Sequence, residues 1–382
     1  MTERHIAVLT GKRGGFGAMR PMLRALDNDS DMRLSLIITD QHVNPAFGAT
    51  VAEIERDFTV AAAVDMEQVS GQARDRARAL GICATKMAGV LADLEPDILV
   101  LYGDRGEVLA TAMVAINLGI PIAHVQGGDI SGNVDELMRH AVTKLSHLHF
   151  TSNADSAARV RALGEESWRV HVVGDNHVDP IVAGSYTDAP TVRRRYGIEA
   201  GAAPIIVLYH PETTQPRDGY RDMQCILDVV LARTMRTIIV YPCSDKGYED
   251  IIKAIEEVRD HAGVSIHANI EASDFYGLLT IAAVMVGNSS AGLIETPYVP
   301  LPAVNVGDRQ QGRRHAENVI HCGHGADELD KALETAVDDP AFAARVAGCE
   351  RPFGDGHTYL RIVETLKSVT LEPCLFDKHM TM

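Results

Sequence analysis

The chain alternates short apolar runs with longer amphipathic stretches. Each apolar run is aliphatic or β-branched, shows no polar alternation, and ends in a turn that contains Gly or Asp. Apolar strands of this kind, each followed by a helix, indicate a parallel sheet that helices cover on both faces. The runs of the first half are HIAVLTG, LSLIITD, DILVLYGD, IPIAHVQGGD and LHFTSN. They predict a doubly wound, Rossmann-like α/β domain.

The same pattern begins again after about residue 180, with the runs PIIVLYHP, RTIIVYPCSD, VSIHANI, AVMVGNSS and PAVNVGDRQ. A length of 382 residues also fits two domains, at roughly 150 residues each. We therefore predict two Rossmann-like, doubly wound parallel-sheet domains. The N-terminal domain spans residues 1–180, the C-terminal domain spans residues 181–365, and residues 366–382 form a tail.

The residues that directly follow the strands are the candidates for function, because ligands of open α/β sheets bind beyond the carboxyl ends of the strands. Arg13 follows the first strand beside three glycines, where it could meet a phosphate. Asp104 and Arg105 follow DILVLY, and Gln126 and Asp129 follow PIAHV. The turn at Arg13 matches neither GxGxxG nor GxxxxGK[ST], which excludes a nicotinamide or P-loop assignment.

Two further candidates extend this set. Asp135 lies on the next predicted helix, where it shares a face with Arg139, and His210 follows PIIVLY. Singly, Asp104 could cap a helix and His210 could be a surface turn residue. Carboxylates and a histidine that converge from separate strand ends suit acid/base chemistry.

The second predicted domain carries an anion-binding pattern. Ser289 and Ser290 stand between a strand and a helix, where backbone N–H groups, hydroxyls and the helix dipole suit a diphosphate. Glu295 follows one to two turns later, within reach of ribose hydroxyls. Arg309 and Arg313 add positive charge after the next strand. The alternative for the serines is simple capping of the helix.

Composition narrows the class of protein. With 36 Lys and Arg against 52 Asp and Glu, the formal charge is −16, which argues against nucleic acid or an anionic membrane as a partner. The first residues do not resemble a signal peptide, and no apolar run is long enough to span a bilayer. Six scattered cysteines without a CxxC pair indicate reduced thiols in the cytoplasm.

The segment His321-Cys322-Gly323-His324 has no second ligand pair, so we expect no metal.

Four segments in a fixed order carry a family resemblance: GDRGEVLATAMVAINLGIPIAHVQGGDISGNVDELMRHAVTKLSHLHF, LYHPETT, GNSSAGLIE and VGDRQQGRRHAENVI. They resemble the hydrolysing UDP-N-acetylglucosamine 2-epimerases of sialic acid biosynthesis. Relatives in legionaminic acid synthesis act on GDP- or UDP-linked 2,4-diacetamido-2,4,6-trideoxy sugars. The resemblance implies a GT-B-like homodimer that binds the sugar nucleotide in an interdomain cleft and uses no cofactor.

The resemblance also implies a mechanism and residue roles. The C1–O bond to the nucleotide breaks, H2 is removed to leave a 2-acetamidoglucal, and water then adds to give a free N-acetylmannosamine-type sugar. By resemblance, Asp104 and Asp135 are acid/base groups and His210 lies near the diphosphate. The positions that match nucleotide-binding residues are Arg13, Ser289, Ser290, Glu295 and Arg309.

The chain departs from the family pattern at two places. Gln126 stands where an HxEGG segment has glutamate, and it cannot carry a proton, so the acid/base role shifts to Asp104, Asp129 or Asp135. Arg13-Gly14-Gly15-Phe16 replaces an RADY-like motif, which predicts a differently shaped sugar pocket.

Several functions stay open at this point. The first is hydrolysing epimerisation of UDP-N-acetylglucosamine, and the second is the same reaction on a GDP- or UDP-linked 2,4-diacetamido sugar. A non-hydrolysing epimerase, a GT-B glycosyltransferase and a sugar-nucleotide binder that has lost activity are the alternatives. The carboxylates of the first domain argue against the transferase, whereas Gln126 favours the inactive binder. The sequence leaves the nucleotide base and the C4 and C6 substituents undefined.

Overall fold

The computed structural model describes residues 3–45, 50–131, 134–213 and 217–381. Two compact α/β units make up the chain, which passes from the first unit to the second at Asp179 and Pro180 and returns to the first at Phe353. The strands are β1 Arg4–Thr10, β2 Met32–Thr39, β3 Val60–Val64, β4 Ile98–Tyr102, β5 Ile122–Val125, β6 Leu148–Thr151, β7 Val170–Val172, β8 Ile205–Leu208, β9 Thr237–Val240, β10 Val264–His267, β11 Val284–Gly287, β12 Ala303–Val306 and β13 Val319–Cys322.

The α-helices connect these strands and close the chain. They are α1 Arg13–Asp27, α2 Val51–Glu55, α3 Ala73–Leu94, α4 Gly106–Asn117, α5 Val134–Leu145, α6 Ala154–Ala162, α7 Asp179–Val182, α8 Ala189–Arg195, α9 Gly219–Ala232, α10 Tyr248–Glu256, α11 Ala272–Leu279, α12 Ala291–Ile294, α13 Ala326–Asp338, α14 Pro340–Ala347, α15 Thr358–Ser368 and α16 Pro373–Phe376.

The first unit is built on a parallel sheet of seven strands in the order β3-β2-β1-β4-β5-β6-β7. Alternate residues of β1 enter different cores, because successive side chains of a strand point to opposite faces. Ile6 and Val8 pack with residues of α1 and α15, whereas Ala7 and Leu9 pack with residues of α3 and α4. Helices therefore cover both faces of the sheet, as the unbroken apolar runs predict.

The second unit contains a parallel sheet of six strands in the order β10-β9-β8-β11-β12-β13. Its core joins these strands to apolar residues of α9, α10 and α13. The strand order reverses between β1 and β4 in the first sheet and between β8 and β11 in the second. Ligands of doubly wound folds bind at such reversals. The predicted fold class is confirmed.

The end of the chain lies differently from the predicted boundary at residue 365, because everything from Phe353 onward belongs to the first unit. Ile362 and Leu366 of α15 are buried in the same core as α1. The carboxylate of Asp179 accepts hydrogen bonds from the backbone N–H groups of Thr358 (3.0 Å) and Tyr359 (2.9 Å) at the start of α15. An amphipathic sequence specifies that a helix covers a sheet but not which sheet it covers.

In the part of the chain that the structure describes, no helix combines the length and the hydropathy needed to cross a bilayer. Helix α3, with 22 residues, shows why length alone is insufficient. Its buried residues Ala79, Cys83, Met87 and Leu91 recur every four positions and face the sheet. Such a stripe is typical of a helix in a globular protein.

Candidate functional site

At the carboxyl edge of the first sheet, several acidic residues surround one buried arginine. Arg139 of α5 is 1% exposed, forms an ion pair with the carboxylate of Asp104 after β4, and donates from Nη1 to the carbonyl oxygen of Asp129 after β5 (2.8 Å). Asp135 is buried one helical turn before Arg139. The sequence predicts that these carboxylates converge, and we call the four residues the Arg139 cluster.

The charges within the Arg139 cluster favour the ionised form of Arg139. Burial alone would lower the pKa of Arg139, but the surrounding carboxylates, Asp104 first, outweigh that effect and raise the pKa above its usual value. The carboxylate of Asp129 accepts hydrogen bonds from the hydroxyls of Ser152 (2.6 Å) and Ser156 (2.5 Å). Asp129 is therefore fixed, whereas the side chain of Asp104 keeps 13% of its surface exposed and can meet a ligand.

Gln126 sits beside a second buried carboxylate. Its φ of 66° is a left-handed conformation that non-glycine residues seldom adopt and that often marks functional sites. The side-chain amide donates to Asp175 Oδ2 (2.7 Å), and Asp175 Oδ1 lies 2.8 Å from Nδ1 of His177. The hydroxyl of Tyr102 lies 3.0 Å from the same ring nitrogen. We call these four residues the Gln126 cluster.

Asp175 and His177 are functional candidates that are not among the residues predicted from the sequence. They follow the short strand β7 just as the predicted residues follow β4 and β5, so the same signal could have found them. Burial would raise the pKa of Asp175, but His177 and the amide of Gln126 outweigh it and hold the pKa below its usual value. The buried carboxylate is accordingly ionised at neutral pH.

Arg105, a candidate for function because it follows β4, is held by carboxyl groups inside the first unit. Its side chain is 4% exposed, and its guanidinium lies 3.7 Å from Asp40 and 3.8 Å from Glu107. Burial and then the charge of Asp40 raise the pKa of Glu107 to about 7, against the opposing effect of Arg105. Because two carboxyl groups already engage Arg105, we assign it a structural role.

Arg13 is the first residue of α1 and stays half-buried at the end of β1, near the reversal between β1 and β4. Burial and then the positive charge of Arg13 lower the pKa of His42 to about 3, so His42 is neutral beside it. A Cβ on Gly15 would lie 3.4 Å from the ring of Tyr102. The glycine-rich turn thus lies beside Tyr102.

In the second unit, His210 and Asn288 join the ends of β8 and β11 at the reversal of strand order. The backbone N–H of His210 donates to Asn288 Oδ1 (2.7 Å), and Asn288 Nδ2 donates to the carbonyl oxygen of His210 (2.9 Å). The N–H of Cys243 donates to Nδ1 of His210 (3.0 Å). A neutral His210 therefore carries its proton on Nε2, which makes that nitrogen a hydrogen-bond donor.

The positively charged side chain of Arg309 lies next to the pair of His210 and Asn288. Arg309 Nη1 and Gln310 Nε2 both donate to the carbonyl oxygen of Asn288, over 3.2 Å and 2.9 Å. The guanidinium of Arg309 also lies 3.6 Å from Asp245. Arg313 Nη1 donates to Gln310 Oε1 (3.3 Å). Hydrogen bonds through Asn288 and Gln310 thus connect the predicted residues His210, Arg309 and Arg313.

The predicted anion site at Ser289 and Ser290 has a weaker dipole than the sequence suggests. Helix α12 is only four residues long, and a macrodipole grows with the number of aligned peptide units. The hydroxyl of Ser289 accepts the N–H of Ala291 (3.3 Å), whereas Ser290, the N-cap residue of α12, makes no side-chain cap hydrogen bond. Glu295 is buried directly after α12, and its proposed ribose contact stays a prediction.

In the described ranges, no group of three or more His, Cys, Asp or Glu side chains is arranged to hold a metal ion. His324 lies instead 3.1 Å from the carboxylate of Glu212. Thr214, the last residue of LYHPETT, lies outside the described residues.

Comparison with known proteins assigns the family. The sequence model described as UDP-N-acetylglucosamine 2-epimerase matches residues 24–367. The chain belongs to this family. The resemblance drawn from the four sequence segments is thereby confirmed.

Curated relatives cover nearly the whole chain. The UDP-N,N'-diacetylbacillosamine 2-epimerase (hydrolyzing) of Legionella pneumophila is 33% identical over 376 residues, which is 98% of each chain. The UDP-N-acetylglucosamine 2-epimerase of Neisseria meningitidis is 29% identical over 341 residues, or 89% of each chain.

Solved structures of the family share the fold. The Neisseria meningitidis UDP-GlcNAc 2-epimerase bound to UDP-GlcNAc superposes with a TM-score of 0.81 at 19% identity, covering 95% of this chain and 99% of that one. The Methanocaldococcus jannaschii UDP-GlcNAc 2-epimerase in complex with UDP-GlcNAc and UDP gives a TM-score of 0.79 at 20% identity, covering 96% of this chain and 100% of that one. At these identities the likeness concerns the fold.

Proposed function

We propose that this protein is a hydrolysing 2-epimerase that converts a UDP-linked 2-acetamido sugar into UDP and a free sugar inverted at C2. The observation that carries the proposal is the convergence of Asp104, Asp129 and Asp135 on Arg139 at the carboxyl edge of the first sheet. The name and the 98% coverage of the Legionella relative support a 2,4-diacetamido-2,4,6-trideoxy sugar as the first candidate substrate. The Neisseria relative supports UDP-N-acetylglucosamine as the second.

The chemistry explains why acidic residues are needed. C2 of the sugar is not adjacent to a carbonyl group, so its proton is only weakly acidic. Breaking the C1–O bond while H2 leaves gives a neutral 2-acetamidoglucal, and addition of water to C1 with a proton to C2 completes the inversion. Both halves require positioned acid/base groups. We assign acid/base catalysis to the carboxyl edge of the first sheet, where Asp104 of the Arg139 cluster is a partly exposed carboxylate.

The leaving diphosphate gains negative charge as the C1–O bond breaks. We assign its stabilisation to the second unit, where Arg309 is cationic and His210 presents Nε2–H. Donors that are already oriented stabilise developing charge without reorganising during the reaction. Arg309 and Nε2–H of His210 are oriented in this way by Asn288 and Cys243.

Arg309→Ala should weaken UDP binding by at least about tenfold, as expected for the loss of one hydrogen bond to a charged group. Calorimetric titration with UDP measures the change. Arg314→Ala is the matched control, because Arg314 is exposed and paired with Glu350 (2.9 Å). Equal UDP affinity in Arg309→Ala and the wild type would remove Arg309 from the nucleotide site.

A substrate panel tests the function itself. UDP- and GDP-linked N-acetylglucosamine and N,N'-diacetylbacillosamine are incubated with the enzyme, and the products are identified by NMR. We expect UDP and a free manno-configured sugar, formed fastest from the UDP-linked diacetamido compound. A nucleotide-linked product epimerised at C2 would indicate a non-hydrolysing epimerase instead. Binding without turnover across the panel would indicate an inactive sugar-nucleotide binder.

A further inference from the structure

The Gln126 cluster contains a histidine that is prepared to accept a proton. Asp175 is 0% exposed, and its Oδ1 lies 2.8 Å from Nδ1 of His177. An ionised carboxylate can only accept hydrogen bonds, so Nδ1 of His177 carries the proton. The lone pair of the neutral imidazole then resides on Nε2. His210 has the opposite tautomer, because a backbone N–H donates to its Nδ1.

The neighbouring groups fix this histidine in place. Asp175 Oδ1 also accepts the backbone N–H of His177 (3.0 Å), and Oδ2 accepts the amide of Gln126 (2.7 Å). The hydroxyl of Tyr102, at the end of β4, lies 3.0 Å from the imidazole Nδ1. The side chain of His177 keeps 13% of its surface exposed, as Asp104 does. An oriented, partly exposed imidazole on a buried carboxylate is the arrangement of a general base.

Both departures of the sequence from the family pattern lie against this cluster. Gln126 cannot carry a proton, and it bonds directly to the carboxylate that holds His177. Gly15 belongs to the altered turn after β1, and a Cβ there would lie 3.4 Å from the ring of Tyr102. The altered turn therefore lies beside Tyr102, and the glutamine bonds to Asp175, so both departures border the cluster that holds His177.

We propose that His177 accepts the proton from C2 of the sugar and that Asp175 is the positioning residue that orients it. This inference rests on the proposed function. In the elimination the C2–H electron pair forms the C1–C2 double bond, and the C1–O electron pair leaves with the diphosphate. The proton moves to Nε2 of His177, which later returns it to solvent. In the second half water adds to C1, and the Arg139 cluster mediates proton delivery to the opposite face of C2.

The test compares His177→Gln and Asp175→Asn with the wild type on the substrate that the panel identifies. His177→Gln should lower kcat at least about a hundredfold, as for loss of a general base. Affinity for UDP should stay within about threefold, because the residues assigned to the diphosphate, Arg309 and His210, lie in the second unit. Asp175→Asn, which keeps the imidazole, should lower kcat at least about tenfold while KM changes little. A structural defect would instead change UDP affinity or KM as well.

His357→Gln is the matched control. His357 forms the same Asp-X-His pair with Asp355, but its side chain is 59% exposed and the two groups lie 3.6 Å apart. It should keep wild-type kcat.

Two results would overturn the inference while the proposed function stands. One is a His177→Gln variant that retains more than a tenth of wild-type kcat. The other is a variant that releases UDP and accumulates the 2-acetamidoglucal, because proton removal would then be intact. If the wild type itself releases no free sugar from any compound of the panel, the proposed function fails, and this inference fails with it.

Discussion

Asp104→Asn should reduce kcat for free-sugar release by at least about a hundredfold, the effect expected when a general acid/base is lost. The substitution preserves the shape of the side chain and leaves an oxygen that can accept from Arg139. The fold should therefore be retained while the charge and the proton-transfer capacity disappear. Steady-state assays with NMR detection of the sugar measure the change.

Asp93→Asn is the control for this experiment, because Asp93 is an exposed residue of α3 in the same unit. It should turn over at the wild-type rate. If Asp104→Asn also retained the wild-type rate, Asp104 would have no part in proton transfer and the assigned site would be misplaced.

Arg139→Met should lower the free energy of unfolding of the first unit by about 3–5 kcal/mol, the cost of removing one partner from a buried ion pair. Methionine fills much of the arginine's volume but leaves the Asp104 carboxylate and the carbonyl oxygen of Asp129 without the buried guanidinium. Urea denaturation followed by circular dichroism measures the loss.

Arg161→Met provides the comparison, since Arg161 is exposed on α6 of the same unit. Surface substitutions of this kind change stability by about 0.5 kcal/mol or less. A loss below about 1 kcal/mol in Arg139→Met would show that the Arg139 cluster does not hold the carboxyl edge together.

Much of the fold follows from local sequence patterns. Unbroken apolar runs specify parallel strands buried on both faces, and both sheets have that form. The positions of the strand ends predict Asp104, Asp129 and His210 as site residues, because the residues that follow parallel strands lie at the same edge of the sheet. The approximate position of the link between the units also follows from the point where the pattern restarts.

The remaining features depend on tertiary contacts that no local pattern records. The pairing of Arg105 with Asp40 joins residues far apart in sequence, so no local pattern predicts it. The docking of α15 on the first unit depends on which apolar surface is left to cover. The left-handed φ of Gln126 and its bond to Asp175 require the assembled sheet. Asp175 and His177 follow β7, which has only three residues and therefore gives a weak strand pattern in the sequence.

Deuterium incorporation at C2 tests the central claim most directly. The wild-type enzyme is incubated in heavy water with the preferred nucleotide sugar of the panel, and the released sugar is examined by NMR and mass spectrometry. Because C2 loses its proton and regains one from a solvent-exchanged group, we predict a free manno-configured sugar with one deuterium at C2. A free sugar that retains its original hydrogen at C2 would contradict the proposed elimination and hydration.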